Sequence, residues 1–229
     1  MKLDRFERVV ELAGKYKADL EERLVALRGD SSAIESTMDV FSSICDWRYS
    51  RGVFYTPFYF FNELVGDSPG KVVKKKFPSP LDARYEGFEC AGFLGGDLAI
   101  TISSAKGAEN SRLVASRIER DGKKVFVLTS CRYDFTSLAG RAPEVVSVSL
   151  IDGMLDGMEV CACASVRGDF WIQVFFYVEV GVVDCVYVYG TGFREPIRHQ
   201  FYYDWRGLLK ITVPSRNPDE ESIVWKRKR

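Results

Sequence analysis

The sequence has very little histidine: His199 is the only one in 229 residues. A Ser-His-Asp triad or a Cys-His pair would have to use this residue, which lies at the head of a strand-like run and is interpreted as structural. Metal ligands are equally few, because the six cysteines include no Cys-x-x-Cys pair and the nearest two are Cys161 and Cys163. We therefore expect no catalytic triad, no bound metal and no cofactor.

Two other kinds of enzyme site are also missing. No G-x-x-x-x-G-K-[ST] loop is present, and Gly190-Thr191-Gly192 lacks the third glycine of a dinucleotide site. Closed barrels that hold a metal and a triphosphate use glutamates two residues apart, since both carboxylates then project from one face of a strand. No two glutamates in this chain are two apart, so this kind of enzyme is disfavoured.

Long apolar runs and a net charge are absent as well. The most hydrophobic stretch, residues 170–190, is interrupted by Gln173, Glu179, Gly181 and Asp184, so it falls short of the roughly 18 residues that span a bilayer. The N-terminus has no continuous apolar segment of a secretory signal. Lys plus Arg and Asp plus Glu both number 32, which gives no global attraction to nucleic acid or to a membrane. We expect a soluble, cytoplasmic protein.

The cysteines fit this compartment. Four of the six lie inside apolar, strand-like runs, where a free buried thiol is expected rather than a disulfide of a secreted protein. These four are Cys131, Cys161, Cys163 and Cys185. With 46% hydrophobic and 14% aromatic residues, the chain has ample material for the packed core that would bury them.

The N-terminal segment has a helical period. Apolar residues spaced alternately three and four apart predict a helix over residues 2–28. The seam consists of Leu3, Phe6, Val10, Ala13, Lys17, Leu20, Leu24 and Leu27. Ser32 and Glu35 form a capping-box pattern for a second helix. The seam is compatible with packing on the chain's own sheet or with a coiled-coil dimer, and Lys17 at a core position favours packing on the sheet. We expect the protein to be a monomer or a homodimer.

The next segment is rich in aromatic residues and then in turn residues. Pro57 in a first turn predicts a short helix over Pro57–Leu64. Proline, glycine and lysine between residues 66 and 84 predict a loop or linker. The organisation expected is a helical part over residues 1–66, a linker over 67–84 and a β domain over 85–229.

After Tyr85 the chain consists of short runs of Val, Ile, Thr, Phe and Tyr between turn dipeptides such as Gly95-Gly96 and Asp121-Gly122, which is typical of hairpins. About nine to eleven strands are expected. The segment Trp171–Val180 is apolar on both faces and needs a cover, which the N-terminal helices supply. The fold class is therefore α+β: N-terminal helices packed on a C-terminal antiparallel meander that forms a curved sheet, a barrel or a sandwich.

Two surface features are candidates for binding. The segment 200–206 places large rings on both faces of a short hairpin, and Trp, Tyr and Arg dominate protein interfaces. The candidates are Tyr202, Tyr203, Trp205 and Arg206. The basic run after Gly70 could bind phosphate groups; it consists of Lys71, Lys74, Lys75 and Lys76. With no net charge, nucleic acid is the weaker candidate partner and depends on such local patches.

These observations favour a non-catalytic protein-interaction module of the inhibitor, immunity or accessory type. One alternative is a β-barrel that binds a small molecule in an apolar cavity, lined by residues such as Phe126, Trp171, Phe175 and Tyr187. Another is an enzyme whose site is assembled from dispersed charged residues, for which Glu89, Arg117, Arg132, Glu179 and Arg194 are the candidates.

Overall fold

The computed structural model describes residues 4–28, 30–103, 113–132, 144–155, 157–179, 181–215 and 220–227. The helices are α1 (Arg5–Arg28), α2 (Ser31–Ser43), α3 (Phe61–Leu64) and α4 (Pro80–Tyr85). The strands are β1 (Asp46–Arg51), β2 (Lys71–Val73), β3 (Glu89–Leu94), β4 (Asp97–Ile102), β5 (Leu113–Asp121), β6 (Lys124–Arg132), β7 (Glu144–Leu155), β8 (Met158–Ser165), β9 (Phe170–Glu179), β10 (Val182–Gly190), β11 (Ile197–Asp204), β12 (Gly207–Pro214) and β13 (Glu221–Lys226).

All 13 strands belong to one antiparallel sheet. From β3 to β13 each strand pairs with its neighbour in sequence, and β1 and then β2 add to the free edge of β3. Within the described part of the chain the two end strands, β13 and β2, do not pair with each other, so the sheet is open rather than a closed barrel. The predicted α+β fold with a C-terminal meander is confirmed.

One face of the sheet, here called the helix face, is covered by α1. The helix packs on β7 to β10, where its buried side chains meet Val148, Ala162, Ile172 and others in a single core. The buried residues of α1 are Val9, Leu12, Ala13, Tyr16, Leu20 and Leu24. The prediction that this helix packs on its own chain is therefore confirmed, including its position over β9.

The buried stripe of α1 differs from the predicted seam in its first half. Phe6 and Val10 are 39% and 43% exposed, whereas Val9 and Tyr16 are buried. The stripe follows the 3.6-residue period of a straight helix on a sheet rather than the 3.5-residue period of a coiled coil, and the two periods drift apart along the helix. Leu3 lies outside the described residues.

Polar contacts fix α1 along its length. Arg5 forms an ion pair with Asp184 of β10, and the Tyr16 hydroxyl donates a hydrogen bond of 2.7 Å to Asp152 of β7. Near the other end, the Arg23 guanidinium lies 3.8 Å from the ring centre of Phe126 on β6. Because these contacts lie on three different strands, they set the orientation of α1 in addition to the apolar burial.

The second helix begins two residues earlier than the sequence pattern predicts. Asp30, not Ser32, is the N-cap, and its carboxylate accepts a 2.8 Å hydrogen bond from the Ser32 amide. Hydrogen bonds from the Ser32 side chain and from its amide lower the pKa of Asp30. An Asp side chain at the N-cap satisfies an amide that the first turn leaves unpaired. The helix therefore has a side-chain N-cap, as predicted, but at Asp30 rather than at Ser32.

The opposite face of the sheet, here called the loop face, carries a second apolar core. Residues 58–64 pack there against Phe175, Val186, Phe201 and Ile211. The helix in this segment is shorter than the predicted Pro57–Leu64, because Phe60 has a left-handed backbone with φ of 51°. This conformation interrupts the helix and places the Phe60 ring 5.0 Å from that of Phe201.

The region predicted as a linker also contains regular structure. The strand β2 pairs with β1, and α4 begins with Ser79 as N-cap and Pro80 in its first turn. The sheet therefore starts at Asp46 rather than after Tyr85, and the two additional strands explain why there are 13 rather than nine to eleven. The division into three parts stays a prediction.

The described cysteines are free thiols, and burial differs sharply among them. Cys45 is exposed, whereas Cys90, Cys161, Cys163 and Cys185 are buried. Burial raises the pKa of Cys90 to about 12 and also raises those of the other three buried thiols. Because the thiolate is the reactive form, Cys45 is the most reactive described cysteine. The side chain of Cys131 lies outside the described residues.

Thiol titration tests this arrangement. Among the five described thiols, we expect only Cys45 to react quickly with a chromogenic disulfide reagent in the native protein, and a Cys45→Ser variant should lose that fast phase. Under denaturing, non-reducing conditions all six cysteines of the sequence should react. A count of two or fewer would show that disulfides are present.

Candidate functional site

The tip of the hairpin formed by β11 and β12 presents the most exposed large hydrophobic side chain of the described residues. Trp205 and Arg206 occupy its two-residue turn, and Trp205 is 88% exposed. Gly207 follows with φ of 99°, a region that glycine adopts without strain. The Arg206 guanidinium lies 4.8 Å from the centre of the Trp205 ring.

The turn is held in place by the neighbouring strand. Asp204 accepts a 2.7 Å hydrogen bond from the Arg206 amide and forms an ion pair with Arg227, which follows β13. The hydrogen bond to Arg227 lowers the pKa of Asp204. Arg227 also donates a 2.9 Å hydrogen bond to the Arg206 carbonyl. The tip is thus a structured turn, with Trp205 pointing away from any covering element.

The two tyrosines predicted beside this tip lie on different faces of the sheet. Tyr203 is on the loop face, where burial raises its pKa. Tyr202 is on the opposite face, and its hydroxyl donates a 2.8 Å hydrogen bond to Glu221. Of the four predicted binding residues, only Trp205 and Arg206 form the tip itself, and the tyrosines flank it on either side.

Besides the Glu221 carboxylate at its hydroxyl, Tyr202 has two lysines on its face of the sheet. The Lys210 ammonium lies 4.1 Å from the centre of the Tyr202 ring, and Lys210 is directly opposite Lys226 in the strand register. Like charges opposite each other on neighbouring strands repel. An anionic group bound between them would relieve this repulsion, so this flank of the tip suits an acidic partner.

The predicted phosphate-binding run lies at the other end of the strand order. Lys71, Lys74, Lys75 and Lys76 are all exposed, and Lys75 forms an ion pair with Glu86. The Lys75 ammonium also lies 4.5 Å from the ring centre of Phe77. One of the four charges is thus already paired, and phosphate binding by this run stays a prediction.

The residues proposed for the two alternative functions do not converge. Phe126 and Tyr187 pack in the core under α1, whereas Trp171 and Phe175 belong to the core of the loop face. These four side chains therefore do not line one cavity.

The dispersed charged residues are also separated. The Arg117 side chain forms an ion pair with Glu119 and contacts Ser36 of α2, whereas Glu89 lines a pocket on the loop face. Glu179 and Arg194 are exposed in or beside the ends of strands. The side chain of Arg132 lies outside the described residues. No common cleft joins the four described residues.

Two other features bear on catalysis. Gly66-Asp67-Ser68-Pro69-Gly70 matches the letters of a nucleophile elbow, but Ser68 is exposed in an irregular segment between α3 and β2 rather than in a strand-to-helix turn. His199 is only 9% exposed, and burial lowers its pKa. Its Nδ1 lies 3.3 Å from the Ile197 carbonyl, which agrees with a structural role.

A buried carboxyl group was missed by the sequence reasoning. Glu159 on β8 is 8% exposed, and its Oε1 has no hydrogen-bond partner among the described residues. Burial raises the pKa of Glu159, opposed by a hydrogen bond from Tyr177. The alternation of β8 places this residue on the loop face, but a single Glu in an apolar strand carries no sequence signal of such burial.

Replacement of this carboxyl has a predictable pH dependence. The folded state raises the pKa of Glu159, so it favours the protonated carboxyl. The resulting contribution to the free energy of unfolding is fully present below the unfolded-state pKa of about 4.3, and it is lost as the pH rises through the folded-state pKa. Glu159→Gln should therefore increase the free energy of unfolding at pH 7 by about 1 kcal/mol, with little effect at pH 4. Urea denaturation at both pH values measures this. A variant less stable than the wild type at pH 7 would contradict it.

Among the described residues, no group of three or more His, Cys, Asp and Glu side chains is placed to hold a metal ion. No helix in the described part of the chain combines the length and apolar character needed to cross a bilayer. Comparison with models of protein families, with curated proteins and with solved structures finds no match for this chain. The functional conclusion therefore rests on the site geometry alone.

Proposed function

We propose that this protein is a non-catalytic protein-interaction module that docks on its partner through the tip of the β11–β12 hairpin. The observation that carries the proposal is the 88% exposure of Trp205 on a turn that Asp204 and Arg227 hold in place. Burial of the exposed tryptophan ring against a partner would remove its apolar surface from water, which favours binding. Because the turn is already structured, little conformational entropy remains to be lost on binding.

The chemistry of the tip defines the partner. Trp205 fits an apolar socket, and tryptophan, tyrosine and arginine are the residue types enriched at the energetic centres of protein interfaces. Arg206 beside the ring, with Lys210 and Lys226 on one flank, favours an acidic rim around that socket. The partner we propose is thus a protein with a hydrophobic pocket bordered by Asp or Glu.

The biological class follows from binding alone. An inhibitor, an immunity protein or an accessory subunit acts by occupying a partner's surface and needs no catalytic group of its own. The free thiols of the described cysteines are typical of a reducing compartment, and we therefore place the protein in the cytoplasm.

The test compares two single variants. Trp205→Ala removes the ring at the tip, whereas Val25→Ala removes an apolar side chain that is 75% exposed on α1. Proteins from the native cell that are retained by the wild type and by Val25→Ala, but not by Trp205→Ala, are candidate partners. With the purified partner, calorimetry should show that Trp205→Ala weakens binding by about 2–4 kcal/mol, or roughly 30- to 1,000-fold in Kd.

The thermal stability of both variants should stay close to that of the wild type, because both side chains are exposed. A partner that binds wild type and Trp205→Ala with equal Kd would show that the tip is not the docking site.

A further inference from the structure

The strongest unassigned feature is a line of hydroxyl side chains across the loop face. The strand register places Thr101 opposite Ser116, Ser116 opposite Thr129, Thr129 opposite Ser147, and Ser147 opposite Ser165. These residues, here called the hydroxyl row, cross five adjacent strands from β4 to β8. At about 4.8 Å between strands, the row is about 19 Å long.

The hydroxyl row is less covered than the part of the loop face that lies beneath residues 58–64. Each of its five residues is partly exposed, whereas Phe175, Val186 and Ile211 on the same face are buried beneath residues 58–64. On β4 to β8 the side chains of the loop face are small and leave a hollow, whereas on β9 to β12 they are large and fill the space. Two cavities lie along the row.

The first cavity has a volume of about 130 Å³ and is lined by Thr101, Ser116 and Thr129. Tyr55 and Phe58 border it from the segment that follows β1. The second has a volume of about 400 Å³ and is lined by Ser147 and Ser165. The hydroxyl row is therefore shared between two neighbouring cavities, each of which exceeds the roughly 30 Å³ that one water molecule occupies in the liquid.

The chemistry of the row selects a class of ligand. The hydroxyls of Ser116 and Thr129 already form a 2.9 Å hydrogen bond with each other, and that of Ser165 donates to Asp169. Each hydroxyl has one donor and two acceptor positions, so the row keeps hydrogen-bonding capacity for a ligand that carries hydroxyl groups along its length. The rings of Tyr55 and Phe58 offer apolar surface to its C–H faces. We propose that the hydroxyl row binds a short neutral oligosaccharide, at a site separate from the Trp205 tip.

Charge and backbone pairing disfavour other polymers. Glu89 lines the first cavity, and Glu144 and Asp169 line the second against a single cation, Arg167, so a polyanion such as nucleic acid would be repelled. An extended peptide that adds to a sheet needs an unpaired strand edge. The strands of the row lie in the interior of the sheet and are paired on both sides.

The test uses a panel of neutral tetrasaccharides as probes, namely cellotetraose, maltotetraose, mannotetraose and chitotetraose. Titration calorimetry with the full chain should detect at least one of them with a Kd tighter than about 1 mM. Ser116→Val and Thr129→Val each remove a hydroxyl while keeping a side chain that suits a strand, and each should weaken binding about tenfold or more. Ser222→Val, at an exposed serine of β13, is the matched control and should leave Kd unchanged.

Each other outcome overturns the proposal. These outcomes are no binding by any tetrasaccharide, binding by both row variants as tight as by the wild type, or preferential binding of a single-stranded oligonucleotide or an extended peptide at the row. Circular dichroism of each variant shows whether the fold is retained. If both valine variants fail to fold, Asn62→Ala takes their place. It removes a hydrogen bond to the Val53 carbonyl, in the segment that carries Tyr55 and Phe58, and should also weaken sugar binding. Trp205→Ala should bind the sugar normally, which separates this site from the proposed function.

Discussion

Removal of residues 1–28 should leave a chain that exposes the helix face and aggregates. Without α1, apolar side chains of β7 to β10 such as Val148, Ile172 and Val174, all 0% exposed in the full chain, would meet water. On the side of the helix, Val9 and Leu20 are 0% and 1% exposed. Each such side chain contributes on the order of 1.5–3 kcal/mol before conformational entropy is subtracted. Summed over the helix, this gross contribution is comparable with the whole stability of a typical domain.

Size-exclusion chromatography and circular dichroism of the truncated chain measure this result. Val25→Ala in the full chain is the control, because Val25 is 75% exposed on α1 and its loss should leave the protein unchanged. If the truncated chain stays folded and soluble while a full-length dimer becomes a monomer, α1 is an oligomerisation element and the packing described above is not its main role.

Phe176→Ala should lower the free energy of unfolding by about 3–5 kcal/mol, the range for a large-to-small change in a core. Phe176 is 8% exposed on the helix face. Its ring centre lies 5.7 Å from that of Tyr187 and 4.9 Å from the Arg5 guanidinium carbon. The substitution therefore leaves a cavity and also removes a contact that holds the start of α1 on the sheet.

Urea denaturation compares this variant with Val178→Ala. Val178 is two residues further along β9 and 66% exposed, so its replacement should change stability by less than about 0.5 kcal/mol. A loss below about 1 kcal/mol for Phe176→Ala would show that this part of the core is not packed as described.

The hairpins could be predicted because their signals are local. Gly95-Gly96 forms the turn between β3 and β4, as expected from the preference of such pairs for tight turns. The turn between β5 and β6 is Gly122-Lys123, one residue after the predicted Asp121-Gly122, because Asp121 still pairs with Lys124. The cover over β9 could also be predicted, since a strand that is apolar on both faces requires one. These features depend only on residues near one another in the sequence or on a simple need for burial.

The strand β1 could not be predicted in the same way. Trp47 and Tyr49 stand in a run so rich in aromatic residues that no clear alternation separates strand from loop. Its partner β3 lies about forty residues later, and pairing over that distance leaves no local signal. The left-handed backbone at Phe60 likewise accompanies a ring contact with Phe201, which is far away in the sequence.

The candidate sites show the same division. Trp205 and Arg206 could be identified because interface residue types stand in a turn, and the placement of large rings on both faces of this hairpin was expected from the alternation of a strand. The hydroxyl row, in contrast, was missed. Ser116, Thr129 and Ser147 become neighbours only once the register of several strands is known, because a shift of one residue would place them on opposite faces.

The measurement that tests the central claim most directly is a photocrosslink from the hairpin tip. A photoreactive benzoylphenylalanine in place of Trp205, and separately in place of Val25 on α1, is irradiated with the native cell extract. The account predicts one specific crosslinked protein from position 205, displaced by excess wild type but not by excess Trp205→Ala, and no such product from position 25. The same product from both positions, or its displacement by Trp205→Ala as readily as by wild type, would contradict it.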